Sequence, residues 1–229
     1  MNHGAGATSG LFLLGSSPPF APVAPILSEK RESTNMVGLT NEKNPMNTAL
    51  IIVDMQNDFV EGGALAVAGG LALVPIINRI VQELGQTVLV VTSQDWHPLK
   101  AEHFNKWPVH CVANTKGAEL VEGLKLPGNT IHVVKGMSGL DDGYSAFEGF
   151  EDRGGGGTLE RILREREIQD VIVCGIATDY CVKATALDAV RFKYHTTLIT
   201  NACVGVSQPT TEAALKDMAG AEVVLKQVQ

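Results

Sequence analysis

The sequence predicts a single-domain α/β fold, a mostly parallel six-stranded sheet flanked by helices on both faces in the Rossmann-like manner. Three observations carry this prediction. From Thr48 onward, short apolar runs alternate with segments whose apolar residues recur at three and four positions, as expected for buried strands joined by amphipathic crossover helices. The chain has 229 residues, enough for one domain with a sizeable core. Side chains of reactive type follow the carboxyl ends of the apolar runs, where open parallel sheets gather their ligands.

The first 45 residues are rich in Gly, Ser, Pro and Ala and show no periodicity, so residues 1–45 read as a disordered or targeting-like leader and 46–229 as the folded domain. Leu11-Phe12-Leu13-Leu14 has no positive charge before it, since the first lysine is Lys30, and Arg31 comes late for a mitochondrial presequence. An internal start at Met36 or Met46 fits the same composition, and organelle targeting stays open. The strands expected are Ala49–Val53, Thr87–Val91, Thr130–Val134, Asp170–Cys174, Thr196–Ile199 and Glu222–Leu225. Each is too short for a helix, and most are rich in β-branched residues. Helices are expected over Leu71–Leu84, Leu159–Glu167, Cys181–Phe192 and Thr210–Ala219, with Thr158 and Thr210 as caps of the second and fourth. Gly154–Gly157 reads as a flexible loop; it lacks the strand-to-helix context of a phosphate cradle.

With 18 basic and 25 acidic residues the formal charge is −7, which argues against general binding to nucleic acid or to an anionic membrane surface. No apolar run approaches the roughly 20 residues needed to span a bilayer. The cysteines at 111, 174, 181 and 203 lack the density of a disulfide scaffold and read as reduced thiols in a cytoplasmic setting. What remains is a small-molecule partner, with a homo-oligomer left open.

Asp54 follows the first strand, Asp95 the second after a short turn, Lys135 the third and Cys181 the fourth. A thiol at a helix N-terminus meets unpaired N–H groups and the positive end of the helix dipole, which favour thiolate and can receive an oxyanion. Taken singly, each residue has an ordinary structural use, as packing, turn or solvated charge. Their convergence on one rim points to chemistry. The loop Ser93–Cys111 adds Asp95, His97, His103 and His110, which include three of the six histidines of the chain. One carboxylate with two or three imidazoles suits a borderline divalent ion, zinc, iron(II) or manganese, with coordination positions left open. Cys111 beside His110 is read as packing, because a soft thiolate tends to close such a site.

With these residues in place, the chain resembles the nicotinamidases, the metal-containing branch of the isochorismatase-like cysteine hydrolases. The resemblance rests on Ile51-Ile52-Val53-Asp54-Met55-Gln56-Asn57-Asp58-Phe59, Gly62-Gly63-Ala64-Leu65-Ala66-Val67, Ser93-Gln94-Asp95-Trp96-His97-Pro98, Trp107-Pro108-Val109-His110-Cys111-Val112, Lys135-Gly136, Tyr144-Ser145-Ala146-Phe147 and Gly175-Ile176-Ala177-Thr178-Asp179-Tyr180-Cys181-Val182. It implies an isochorismatase-like fold and hydrolysis of nicotinamide to nicotinate and ammonia, a step of NAD salvage. Asp54 is then the base, Lys135 an assisting cation and Cys181 the nucleophile of a thioester path. The Ala177 and Cys181 N–H groups form the oxyanion hole, helped by a cis bond between Ile176 and Ala177. Asp95, His97 and His110 hold one divalent metal, zinc foremost with iron or manganese as alternatives, and His103 matches a fourth ligand seen in some members. Phe59, Leu65, Trp107 and Tyr144 wall the substrate ring. The alternatives are a family amidase for another small amide, an isochorismatase proper, or a noncatalytic ligand-binding module. Two stretches depart from the family pattern. Gly136–Gly143 is a variable, acidic segment expected to alter access to the pocket, and residues 1–45 have no counterpart in the family core.

Overall fold

The computed structural model describes residues 33–34, 39, 45–140, 142–152 and 156–229. Most of the expected leader, together with Asp141 and with Gly154 and Gly155 of the glycine-rich loop, lies outside them. In chain order the strands are β1 (Ser33–Thr34), β2 (Thr48–Val53), β3 (Leu89–Asp95), β4 (Ile131–Lys135), β5 (Phe150–Glu151), β6 (Asp170–Ile176), β7 (His195–Val204) and β8 (Val224–Val228). All six expected runs form strands. The count of six nevertheless needs correcting, because among the described residues there are seven from Thr48 onward, and β1 makes an eighth. The two extra strips are two residues long and carry no periodicity. They are held by sheet edges, β5 antiparallel on β4 and β1 parallel on β8. Leu39 is buried in the core.

The helices are α1 (Leu73–Leu84), α2 (Leu159–Glu165), α3 (Lys183–Arg191) and α4 (Gln208–Gly220). α1 turns Leu73, Ile77, Ile80, Val81 and Leu84 inward, the helical stripe its sequence predicts, and each such burial contributes about 1.5–3 kcal/mol. Thr158 Oγ1 caps α2 by accepting from Arg161 N. At α4 the cap is Ser207, whose Oγ accepts from Thr210 N, and not Thr210. Ser207 stands in the extended conformation a cap requires, and Pro209 fits the first turn, where no N–H donor is needed.

The sheet order is β1-β8-β7-β6-β2-β3-β4-β5. Chain order runs outward from β2 through β3 and β4 on one side and from β6 through β7 and β8 on the other. The junction of β2 with β6 is therefore the topological switch point, where a crevice opens beyond the strand ends. Every residue of β2 is buried, so helices cover both faces and leave the carboxyl edge as the place for a site.

Candidate active site and metal centre

Four strand ends deliver the reactive groups. Asp54 follows β2 in a left-handed conformation (φ 47°), fixed by its N–H donating to Ser93 O at 3.1 Å and by Ser93 Oγ donating to its Oδ1 at 2.7 Å. Asp95 and Lys135 close β3 and β4 as register partners. Cys181 is reached from β6 by a sharper path. The pairing of β6 with β7 shifts register between Val173 and Gly175, Gly175 has φ 122°, and the Ile176–Ala177 bond is cis, as the resemblance implies. A Cβ on Gly175 would lie within 3.0 Å of Val53 backbone, so only glycine lets β6 press this closely on β2. Cys181 then sits in a wide five-residue turn, Thr178–Val182, one turn before α3. The helix expected to begin at Cys181 starts instead at Lys183.

Lys135 Nζ is the hub of this end of the sheet. It donates to Asp95 Oδ1 and, at 2.8 Å, to Gly143 O, lies 3.5 Å from Cys181 Sγ and 2.8 Å from Asp54 Oδ2. By geometry Asp54 Oδ2 accepts no aligned hydrogen bond, so its contact with the ammonium is one of charge. Burial disfavours the Lys135 charge, but Asp54 and Asp95 outweigh it and hold the ammonium well above its ordinary pKa. Burial also opposes ionisation of Asp95, yet the Lys135 ammonium keeps its carboxyl below the usual range. Asp54 goes the other way, raised by burial against the pull of Lys135 and further raised by Asp95. For Cys181, burial pushes the thiol well up, and Lys135 offsets only part of that. Burial thus works against the thiolate to which the helix-end argument alone points.

The histidines face one another across the same rim. His97 Nδ1 lies 3.2 Å from Gly136 O, His110 Nδ1 2.7 Å from Pro108 O and His103 Nδ1 3.0 Å from Asp142 Oδ1. Oxygens of these kinds accept, so each Nδ1 carries the proton and each Nε2 is left with a lone pair. Ligand-capable atoms of the three rings lie within 4.8 Å of one another. Asp95 Oδ2 stands 3.5 Å from His97 Nε2 and 3.8 Å from His110 Nε2. His97 Nε2 is buried without a hydrogen-bond partner among the described residues. An orphaned lone pair aimed at two further imidazoles and a carboxylate fits a divalent metal. A second group, Asp54, Asp95 and Cys181, surrounds Lys135 and has its cation already. Cys111 is fully buried, with its thiol pushed up chiefly by burial, in keeping with packing.

Between the two clusters lies a cavity whose walls include Phe59, Leu65, Trp107 and Tyr144, all four expected ring contacts. Asp95, His103, His110, Ala177 and Cys181 also open onto it. Asp54, His97 and Lys135 stand behind that surface. Trp107 Nε1 donates to Tyr144 Oη at 3.0 Å, and Tyr180 meets Trp107 edge-on at 5.1 Å. Several contributors carry no role in the sequence reading. Tyr180 and Val206 line the cavity, and Ser93 holds Asp54. Gln56 grips the Asp95 backbone from both sides, Nε2 donating to Asp95 O and Oε1 accepting from Asp95 N, each at 2.8 Å. Tyr180 was findable as the neighbour of Cys181; Gln56 acts across strands and leaves no local signal. Asp142, expected to influence pocket access, is turned to His103 and Lys106.

Fold and site together define an α/β protein with a buried thiol, carboxylate and ammonium at the switch point of its sheet. Residues 48–227 match the Isochorismatase domain family, and the chain belongs to that family. It is 42% identical over 184 residues to the nicotinamidase/pyrazinamidase of Mycobacterium tuberculosis, covering 77% of this chain and 97% of that one. Among solved structures, the pyrazinamidase of Pyrococcus horikoshii in complex with zinc superposes with a TM-score of 0.73 at 38% identity, over 79% of this chain and 99% of that one. A protein of L. infantum in complex with nicotinate gives 0.71 at 33%, over 81% and 96%.

Proposed function

We propose that the protein is a nicotinamidase, hydrolysing nicotinamide to nicotinate and ammonia and so feeding NAD salvage. The observation that carries this reading is one aromatic-walled cavity onto which Cys181, His103 and His110 all open, an arrangement suited to holding a heteroaromatic ring with its carboxamide at the sulfur.

The Cys181 thiol passes its proton to Asp54, whose Oδ2 has no aligned donor, and the sulfur forms a bond to the carboxamide carbon. Lys135 offsets the negative charge as it moves between the two. The Ala177 and Cys181 N–H groups receive the oxyanion. Asp54 returns the proton to the amide nitrogen, the C–N bond breaks and ammonia leaves a thioester. Asp54 then takes one proton from water, whose oxygen attacks the thioester carbon; the C–S bond breaks, Asp54 returns that proton to the sulfur, and the acid product gives up its remaining proton to solvent or to the released ammonia as nicotinate. Asp95, His97, His103 and His110 are the residues that would hold the metal, which would supply Lewis acidity toward the ring nitrogen when bound. We assign zinc, which a set of imidazoles and one carboxylate suits. Four buried free thiols fit a reducing compartment, the cytoplasm.

An ammonia-release assay over a panel of aromatic and aliphatic amides tests the reading, with nicotinamide and pyrazinamide expected to lead. Cys181→Ala should abolish release while retaining ring binding. A variant that still turns over removes the nucleophile assignment, and a wild-type protein that binds amides without ammonia release is a binding module.

A further inference from the structure

The three imidazoles of the metal cluster are not held alike. His97 and His110 give their Nδ1 protons to the backbone carbonyls of Gly136 and Pro108, acceptors that no side-chain change removes. His103 gives its proton to a carboxylate, Asp142 Oδ1 at 3.0 Å, which lies 39 residues away in the segment between Lys135 and Tyr144. His103 itself stands on a single 3-10 turn, Glu102–Asn105. Its buried ring stacks on His97 at 4.5 Å and meets Tyr144 edge-on at 6.0 Å, and the Asp142 bond is the contact that fixes which nitrogen carries the proton. Asp142 is in turn oriented by Lys106 Nζ, at 2.8 and 3.1 Å from its two oxygens, but that lysine is exposed and the pair is screened.

We infer that Asp142 is the positioning residue that makes His103 a full metal ligand, through a carboxylate–histidine pair that fixes the ring's tautomer, orients its Nε2 and raises its donor strength. The inference rests on the reading of His103 as a ligand. The carboxylate does what the two carbonyls do for His97 and His110, and adds a negative charge that strengthens the bond to a cation.

The test is zinc affinity of the full-length protein by competition with a chromophoric chelator, with the His103 tautomer read from ring nitrogen shifts in the metal-free protein. Asp142→Ala should weaken zinc about 10- to 100-fold, the usual range for losing such a partner, and should mix the His103 tautomers. Asp142→Asn, which keeps an acceptor but no charge, should retain the tautomer and fall between; it also serves if the alanine variant does not fold. Lys106→Ala should change affinity less than about threefold, because an exposed pair is worth little. The reference is His103→Ala. If it weakens zinc while both Asp142 variants bind like wild type with an unmixed tautomer, the inference is overturned and the ligand stands. If His103→Ala itself leaves affinity unchanged, the ligand reading fails and takes the inference with it.

Discussion

Lys135 and Asp95 are register partners on the adjacent parallel strands β4 and β3, and the Lys135 ammonium donates to Asp95 Oδ1. Through this pair the thiol end of the site and the histidine end share one buried charge system. Asp95 turns its other oxygen, Oδ2, to His97 and His110, while Lys135 reaches Asp54 and Cys181. Neither end is electrostatically independent of the other.

Removing that ammonium leaves two buried carboxylates facing each other without a cation. Lys135→Met should lower unfolding free energy by about 3–5 kcal/mol, the usual cost of breaking a buried pair on one side, and should abolish ammonia release. Urea denaturation of the variant beside wild type measures the first effect. A loss below about 1 kcal/mol means the carboxylates do not depend on Lys135.

Metal removal acts on the histidine cluster, where His97 Nε2 has no alternative partner among the described residues. Stripping with a chelator should abolish nicotinamide deamidation and lower the melting temperature, and a divalent ion should restore both. At a free ion concentration a hundredfold above its dissociation constant, restoration is worth about 2.7 kcal/mol. Full activity in metal-free buffer, verified by elemental analysis, contradicts the metal assignment.

The approach of β6 to β2 depends on Gly175, because its φ of 122° and the Val53 backbone within 3.0 Å leave no room for a methyl group. Gly175→Ala should destabilise by at least about 2 kcal/mol and displace the turn that carries Cys181. Thermal melts and a thiol-labelling rate at Cys181 check it. A variant with wild-type stability and labelling shows that the strand end has slack.

Glu61 accepts from Leu71 N at 2.9 Å and Gly69 N at 2.7 Å, clasping the loop that brings Leu65 and Val67 to the cavity. These bonds, Leu71 first, hold its carboxyl below the ordinary value of 4.5. A depressed folded-state pKa means the clasp stabilises fully above 4.5 and is lost as pH falls through the lower folded value. The melting-temperature difference between wild type and Glu61→Gln should therefore be largest near neutrality and shrink below pH 4.5. A difference constant with pH rules the clasp out.

Much of this molecule was legible before folding. Alternation of apolar runs and helical stripes determined the fold class, because burial on one face or both repeats within a few residues and needs no distant partner. The spacing of Asp54, Asp95, Lys135 and Cys181 after strand ends determined which side chains share the rim, since parallel strands bring their carboxyl ends together. Tertiary structure alone decided the rest. The strips β1 and β5 exist because sheet edges offer unpaired backbone groups, Asp142 serves His103 across 39 residues, and Gln56 grips Asp95 across strands. The surroundings of the Cys181 proton were decided there too. A helix terminus favours thiolate, while burial, and after it Asp54 and Asp95, push the thiol up against the pull of Lys135, and burial depth is a property of the assembled sheet.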